Sequence, residues 1–540
     1  MRTLSLGPAH LLCLFAGAAL LAGCGRRQTD VGIADQKQIL LVGNGGDIQT
    51  LDPHIAGGLI DKNPQSALFE GLVTLDETTL QVRPGVAERW TVSPDGLTYT
   101  FHLRPNLKWS NGDPMAGEDW LFSFQRALSP NLASEYRDLY FAVQGAEAFA
   151  HGDTKDFSKV GFRMPNERTL VITLRQRTPY FLTLLRNNVW CPVEKKSVLS
   201  SGAADQRANQ WIPTSNGPFR LVAWKIHQMV EVEKNPYYWD AAHVRLAGIR
   251  FFSNESLQSQ DLAFRTGQLH ATWSVPLSKL PAYRAAHDPR LREEPSLESY
   301  FVRFNVTRPP FNNPKVRRAF SLAIDRTAIV HSILRGQQDP AHTLTPAGFA
   351  GYRGPGGVIQ FDPAAARALL AEAGFPGGKG FPAVDYLTIA AETDLRIGEA
   401  LCEMWRTHLG VAVGTRQEEF KVYLQSINGD SLDYALARGR WTPEYPDPLS
   451  FLDIMTSKSG INGTGYADPA YDAKLSAANE LADPAQRAEA LGAAEAYMLA
   501  ASPIAPIYFG TTARLIAPEV KGWKPSPLGF HNYQDMWLEK

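Results

Sequence analysis

Cysteine is scarce in this chain: four residues in 540, at positions 13, 24, 191 and 402. There is no Cys-x-x-Cys and no His-Glu-x-x-His. The 12 histidines are scattered without ligand spacing, so a metal centre lacks its usual sequence frame. No Gly-x-Ser-x-Gly elbow occurs either, which removes the commonest exported-hydrolase pattern. Charge of one sign is also lacking. With 54 Lys and Arg against 55 Asp and Glu, the net charge is −1, which argues against a nucleic-acid partner or a polybasic membrane-binding face. Long apolar runs are missing too. The longest, Leu11 to Leu21, falls short of the ~20 residues a membrane-spanning helix needs.

That short run is nevertheless informative in its place. Arg2 precedes it, and Leu21-Ala22-Gly23-Cys24 closes it. A charged start, a short apolar core and small residues at the end describe an export signal. The last four residues resemble a bacterial lipobox, in which the signal, residues 1–23, is cut before Cys24 and the Cys24 sulfur is lipidated. The mature chain is then expected outside the cytoplasmic membrane, held by an N-terminal lipid, in the periplasmic or extracytoplasmic space. Residues 24–37 are polar and read as a tether. Export permits a disulfide between Cys191 and Cys402, but two buried small hydrophobes fit equally well.

The length predicts two or three lobes. Gln38 to Val42 reads as a first strand, and Leu51-Asp52-Pro53 leads to a loop with Gly57-Gly58 and then a helical stretch. Residues 80–112 read as a β-meander, with alternation in Thr98 to Leu103 after the turn Ser93-Pro94-Asp95-Gly96. Trp120, Leu121, Phe124 and Leu128 share one face of a helix over 117–128. Phe219 to Lys234 reads as a hairpin. Beyond about residue 297, strands at 300–305, 387–391 and 434–437 alternate with helical stretches at 316–334, 363–373 and 394–409. Asp483-Pro484 opens a further helix to about Leu499. This order does not make a single doubly wound sheet. It suits two lobes with the chain crossing between them.

A series of fragments then carries a resemblance: Leu51-Asp52-Pro53, Leu68-Phe69-Glu70-Gly71-Leu72, Pro84-Gly85-Val86-Ala87-Glu88, Lys108-Trp109-Ser110-Asn111-Gly112-Asp113-Pro114, Asn216-Gly217-Pro218-Phe219, Asn235-Pro236-Tyr237-Tyr238-Trp239, and Val316-Arg317-Arg318-Ala319 leading to Ala323-Ile324-Asp325-Arg326. In this order and spacing, from about residue 38 to the C-terminus, the chain resembles the family 5 extracellular solute-binding proteins of ABC importers, in their oligopeptide-binding branch. The resemblance implies an α/β bilobal periplasmic-binding-protein fold of the cluster C type, with two α/β lobes, a hinge and an additional domain. It assigns 38–68, 193–295 and 513–540 to lobe I, 69–192 to the additional domain and 296–512 to lobe II. It also implies a short peptide ligand, a membrane permease as partner, a monomer, no cofactor and no catalysis.

The same resemblance implies the site. A peptide presents an ammonium, a carboxylate and an extended backbone, and a general receptor must answer the first two with opposite charge. Glu444, three positions after Trp441, matches an Asp that takes the peptide α-amino group, and Asp447 is the alternative anchor. Arg438 matches an Arg for the carboxylate of shorter peptides, or else a local salt bridge. Trp441 and Phe420 match aromatic pocket positions, Tyr136 a ring over the ligand, and Leu59 a strand pairing with the peptide backbone. Gly57 stands where relatives carry an acid, Arg440 where some carry Gly, and Leu334, followed by Arg335, where some carry a carboxylate-binding Lys. Glu298 and Thr442 replace a disulfide. The competing readings are an exported enzyme, or the same fold holding a cell-wall peptide, metal chelate, haem or sugar.

Overall fold

The computed structural model describes residues 29–201, 213–349, 351–428 and 432–539; Cys24 and the signal lie outside them. Among the described residues, three sheets of four or more strands organise the larger hydrophobic cores. In the first, Ile39–Gly43 pairs in parallel with Gly248–Phe252. That strand pairs antiparallel with Met229–Lys234, which is hairpinned to Phe219–Lys225. Leu40, Val42, Ile249 and Phe251 form its core with Ala513 and Leu515 from the far end of the chain. The polar stretch read as a tether is structured from Thr29 onward. Asp30–Gln36 is a helix capped by the Thr29 hydroxyl. It docks through Val31 N–H to Gly267 O, 2.9 Å. It also docks through Asp35, which accepts from Nε2 of buried His270 at 3.0 Å. The Leu41 amide donates to Nδ1 of the same ring, so the neutral imidazole is held with its proton on Nε2.

The second sheet is antiparallel, ordered Ala87–Val92, Thr98–Leu103, Thr169–Thr173, Phe162–Asn166. Helix Gly117–Leu128 lays Trp120, Phe124 and Leu128 on it, all fully buried, as the 3.6-residue spacing requires. This unit is riveted to the first by Arg126. Its guanidinium forks onto both carboxylate oxygens of Asp52 (3.1 and 2.5 Å) and contacts His54 Nδ1 at 2.8 Å. Burial and the Arg126 charge hold His54 neutral, with its pKa brought down to about 4. Glu70, likewise buried, accepts from Tyr238 O–H and Trp239 Nε1–H at 2.6 Å each. Two of the sequence fragments therefore meet here, 168 residues apart, as scaffold.

The third sheet is mixed and six-stranded: Asp339–Pro340, Ile504–Leu515, Leu291–Phe304, Leu436–Trp441, Val384–Ile389, Val413–Glu418. Three of its helices start where Asp precedes Pro. Asp362, Asp468 and Asp483 each accept two backbone N–H groups at the head of Pro363–Glu372, Pro469–Glu480 and Pro484–Ala501. The stretch 316–334 is not one helix. Pro314–Leu322 ends, and a wider π turn follows at Ile329–Ile333.

The two longest strands join the lobes. Leu291 to Pro295 faces Leu515 to Thr511 beside the first core, whereas Tyr300, Val302, Ala505 and Ile507 sit in the third. The ladder shifts register between Pro295 and Ser299. Proline there offers no N–H to the ladder, so regular pairing lapses where the chain passes between lobes. Gly510 faces Glu298 so closely that a Cβ would come 2.7 Å from the Glu298 Cβ.

Candidate functional site

Two cavities lie between the lobes and adjoin at Leu59, Thr442 and Leu528, which line both. The smaller, about 270 Å³, is lined by Gly57, Lys62, Tyr136, Arg186, Asn187 and Glu444 among others. The larger, about 790 Å³, carries Trp273, Glu298, Arg335, Asp394, Arg440 and Arg514.

All three units contribute to the smaller cavity. Strand Leu436–Trp441 ends at the cleft, and Pro443, Pro446 and Pro448 keep the chain from continuing in the sheet. This puts Glu444 at the rim. Helix Leu59–Leu68 begins after Gly58 and carries Lys62 on its first turn. The second unit supplies Tyr136 and Asn187. Glu444 Oε2 lies 3.1 Å from Lys62 Nζ and 3.2 Å from Asn187 Nδ2. The Lys62 ammonium also sits 4.0 Å above the Tyr136 ring centroid, and the Tyr136 hydroxyl donates to Gly57 O. Burial, then the carboxylates of Glu444 and Glu135, push the Tyr136 phenol far above its ordinary pKa, so it remains a donor. Gly57 lacks the acid expected on its loop, but Glu135 fills the gap: a Cβ on Gly57 would come 3.0 Å from Glu135 Oε2.

The candidate amine anchor is thus at the cleft, with an internal amine already on it. In the larger cavity Arg440 is paired with Glu298, Nη2 to Oε2 2.5 Å. The pair occupies the neighbourhood of the absent disulfide.

The other candidates divide. Tyr136 and Leu59 line the cleft, but Leu59 opens a helix, not a strand. Asp447 does not line either cavity. Its two oxygens take Arg487 at 2.8 Å each, and Oδ1 also accepts from Leu449 N–H. It braces the turn after the strand. Arg438 is 6 % exposed and gives its Nε–H to Asp394, so the local salt bridge prevails over a ligand contact. The strand expected at 434–437 runs on to Trp441 and carries Arg438 inside it. Trp441 donates Nε1–H to Ser450 O at 2.7 Å and packs on the core around Leu449 and Phe451. Phe420 is 50 % exposed at the start of helix Phe420–Asn428, away from both cavities. Cys191 and Cys402 are free thiols, and burial pushes Cys191 up to about 12. Among the described residues no three His, Cys, Asp or Glu side chains gather as metal ligands.

Sequence reasoning missed Lys62, Asn187 and Arg186. A signal for Lys62 existed: it follows Leu59 by three on one helix, so the two share a face.

The family model for bacterial extracellular solute-binding proteins, family 5 Middle, matches residues 81–463. The chain is 31 % identical over 520 residues to the periplasmic oligopeptide-binding protein OppA of Salmonella typhimurium, covering 94 % of each. It is 32 % identical over 522 residues to a probable deoxycholate-binding periplasmic protein, YgiS, of Escherichia coli, covering 93 % of each. The crystal structure of Haemophilus influenzae OppA in complex with RPPGFSPFR superposes with a TM-score of 0.78 at 27 % identity, over 94 % of this chain and all of that one.

Proposed function

The chain belongs to the family 5 extracellular solute-binding proteins, and on that premise we propose that it captures short peptides outside the cytoplasmic membrane for an ABC-importer permease. The observation that carries this reading is Glu444, a carboxylate of the third unit at the rim of the cleft, touched by side chains from the other two units, Lys62 and Asn187. Ligand contacts to both lobes stabilise the closed form, and opening releases the peptide to the permease. The chain binds and delivers; it does not catalyse. Cys24 carries the lipid that keeps it at the membrane, and it works as a monomer.

Two measurements test this. Mass spectrometry of material released by denaturing the purified protein should show short peptides. Glu444→Gln should then weaken a free-amine peptide by ~1.5 kcal/mol or more, the value of a charged hydrogen bond. N-acetylating the peptide should cost the wild type more than the variant. Equal losses in both remove Glu444 from the amine site.

A further inference from the structure

Arg514 is 7 % exposed and lines the larger cavity. Its guanidinium lies near two indoles, 5.4 Å from the Trp273 centroid and 5.8 Å from that of Trp523. Among the described residues no carboxylate reaches within 4 Å of it; Glu294 acts on it only from further away. A buried cation without a partner is costly, and ring faces return only ~0.5–2 kcal/mol of that. The charge therefore calls for an anion, and the side on which one can enter is the cavity. Arg335 lines the same cavity, exposed, in a left-handed backbone conformation (φ 56°), and without an ion pair among the described residues. One end of the Gln338 amide is buried there without a partner, and an amide can turn either end to a ligand. Arg440, by contrast, is already neutralised by Glu298.

We infer that Arg514, backed by Trp273 and Trp523 and assisted by Arg335, is the receptor for a ligand carboxylate in the larger cavity. The inference rests on the peptide reading of the cleft. The carboxylate belongs either to the peptide C-terminus or to an acidic side chain, and a guanidinium meets either with two parallel hydrogen bonds.

The purified full chain is offered a mixture of free-amine di- to pentapeptides in three matched forms. One has Glu and an amidated terminus, one Gln and a free terminus, and one Gln and an amidated terminus. Retained peptides are counted by mass spectrometry. At least one carboxylate-bearing form should be enriched about tenfold over the neutral form, and which one it is identifies the source. Arg514→Gln should level the enrichment and Arg514→Lys should keep part of it. Arg335→Gln, an exposed change that leaves the core untouched, should reduce it severalfold and guards against a folding defect at Arg514. Equal retention of the three forms, or enrichment that survives Arg514→Gln, overturns the assignment while the peptide reading stands. If no peptide is retained, the peptide reading falls and citrate decides the site. A citrate-induced rise in Tm that Arg514→Gln abolishes upholds the anion receptor; no rise overturns it too.

Discussion

Lys62→Ala should tighten the hold on a free-amine peptide. The Lys62 ammonium stands 3.1 Å from the carboxylate that the ligand ammonium is proposed to use, with side chains 18 % and 26 % exposed. A second ammonium settling on the other face of that carboxylate would lie roughly 4 Å from Lys62 Nζ. At that separation two like charges repel by ~4 kcal/mol at the effective dielectric of a protein surface and ~1 kcal/mol in bulk water. Partial exposure places the site between these limits. The Lys62–Glu444 pair itself is worth only ~0.2–1 kcal/mol at such exposure, so its loss does little to the empty protein. The balance favours the variant by ~1.5 kcal/mol, about tenfold in Kd. Isothermal titration with one free-amine peptide and its N-acetyl form, on wild type and Lys62→Ala, reads this directly. The free-amine peptide should gain and the acetylated one should change little. A loss of affinity for the free-amine peptide would refute the reasoning, because Lys62 would then be a ligand contact and not a competitor.

Asp453, half-buried beside Tyr445, has its pKa pushed up to about 7, by loss of hydration first and by the nearby Asp447 as well. A carboxyl raised in the folded state adds stability that is complete below the unfolded pKa near 4 and is lost as the pH rises through about 7. Asp453→Asn should therefore flatten the fall in urea midpoint between pH 4 and 8 and gain ~1 kcal/mol or more over wild type at pH 8; an unchanged slope would count against it. Arg126→Met should destabilise the protein by ~3–5 kcal/mol in urea, since it strands the buried Asp52 charge between two units. A loss below ~1 kcal/mol would mean the rivet bears little weight.

The local elements were legible because their causes are local. An Asp before a Pro caps and starts a helix whatever the rest of the chain does, as at 362–363 and 483–484. The alternation in Thr98 to Leu103 and the helical face of Trp120, Phe124 and Leu128 name their buried sides in the same way. Of the long strand Leu291–Phe304 only the end at 300–305 was legible, and Ile504–Leu515 was not read as a strand. Pro295, Pro506 and Gly510 interrupt their patterns, and it is mutual pairing over some 200 residues of separation that makes them strands.

Within the site, the sequence determined that an acid follows Trp441 by three positions and that prolines lift it out of the sheet. It determined equally that Asp447 and Arg438 carry charge. What each charge is for was decided by tertiary structure alone. Glu444 meets a lysine 382 residues away, Asp447 is spent on Arg487, Arg438 on Asp394, and Arg514 meets two indoles and an open cavity. Capping and periodicity act between chain neighbours, whereas a charge is satisfied by whatever the fold brings within ~4 Å, and sequence distance says nothing about that separation.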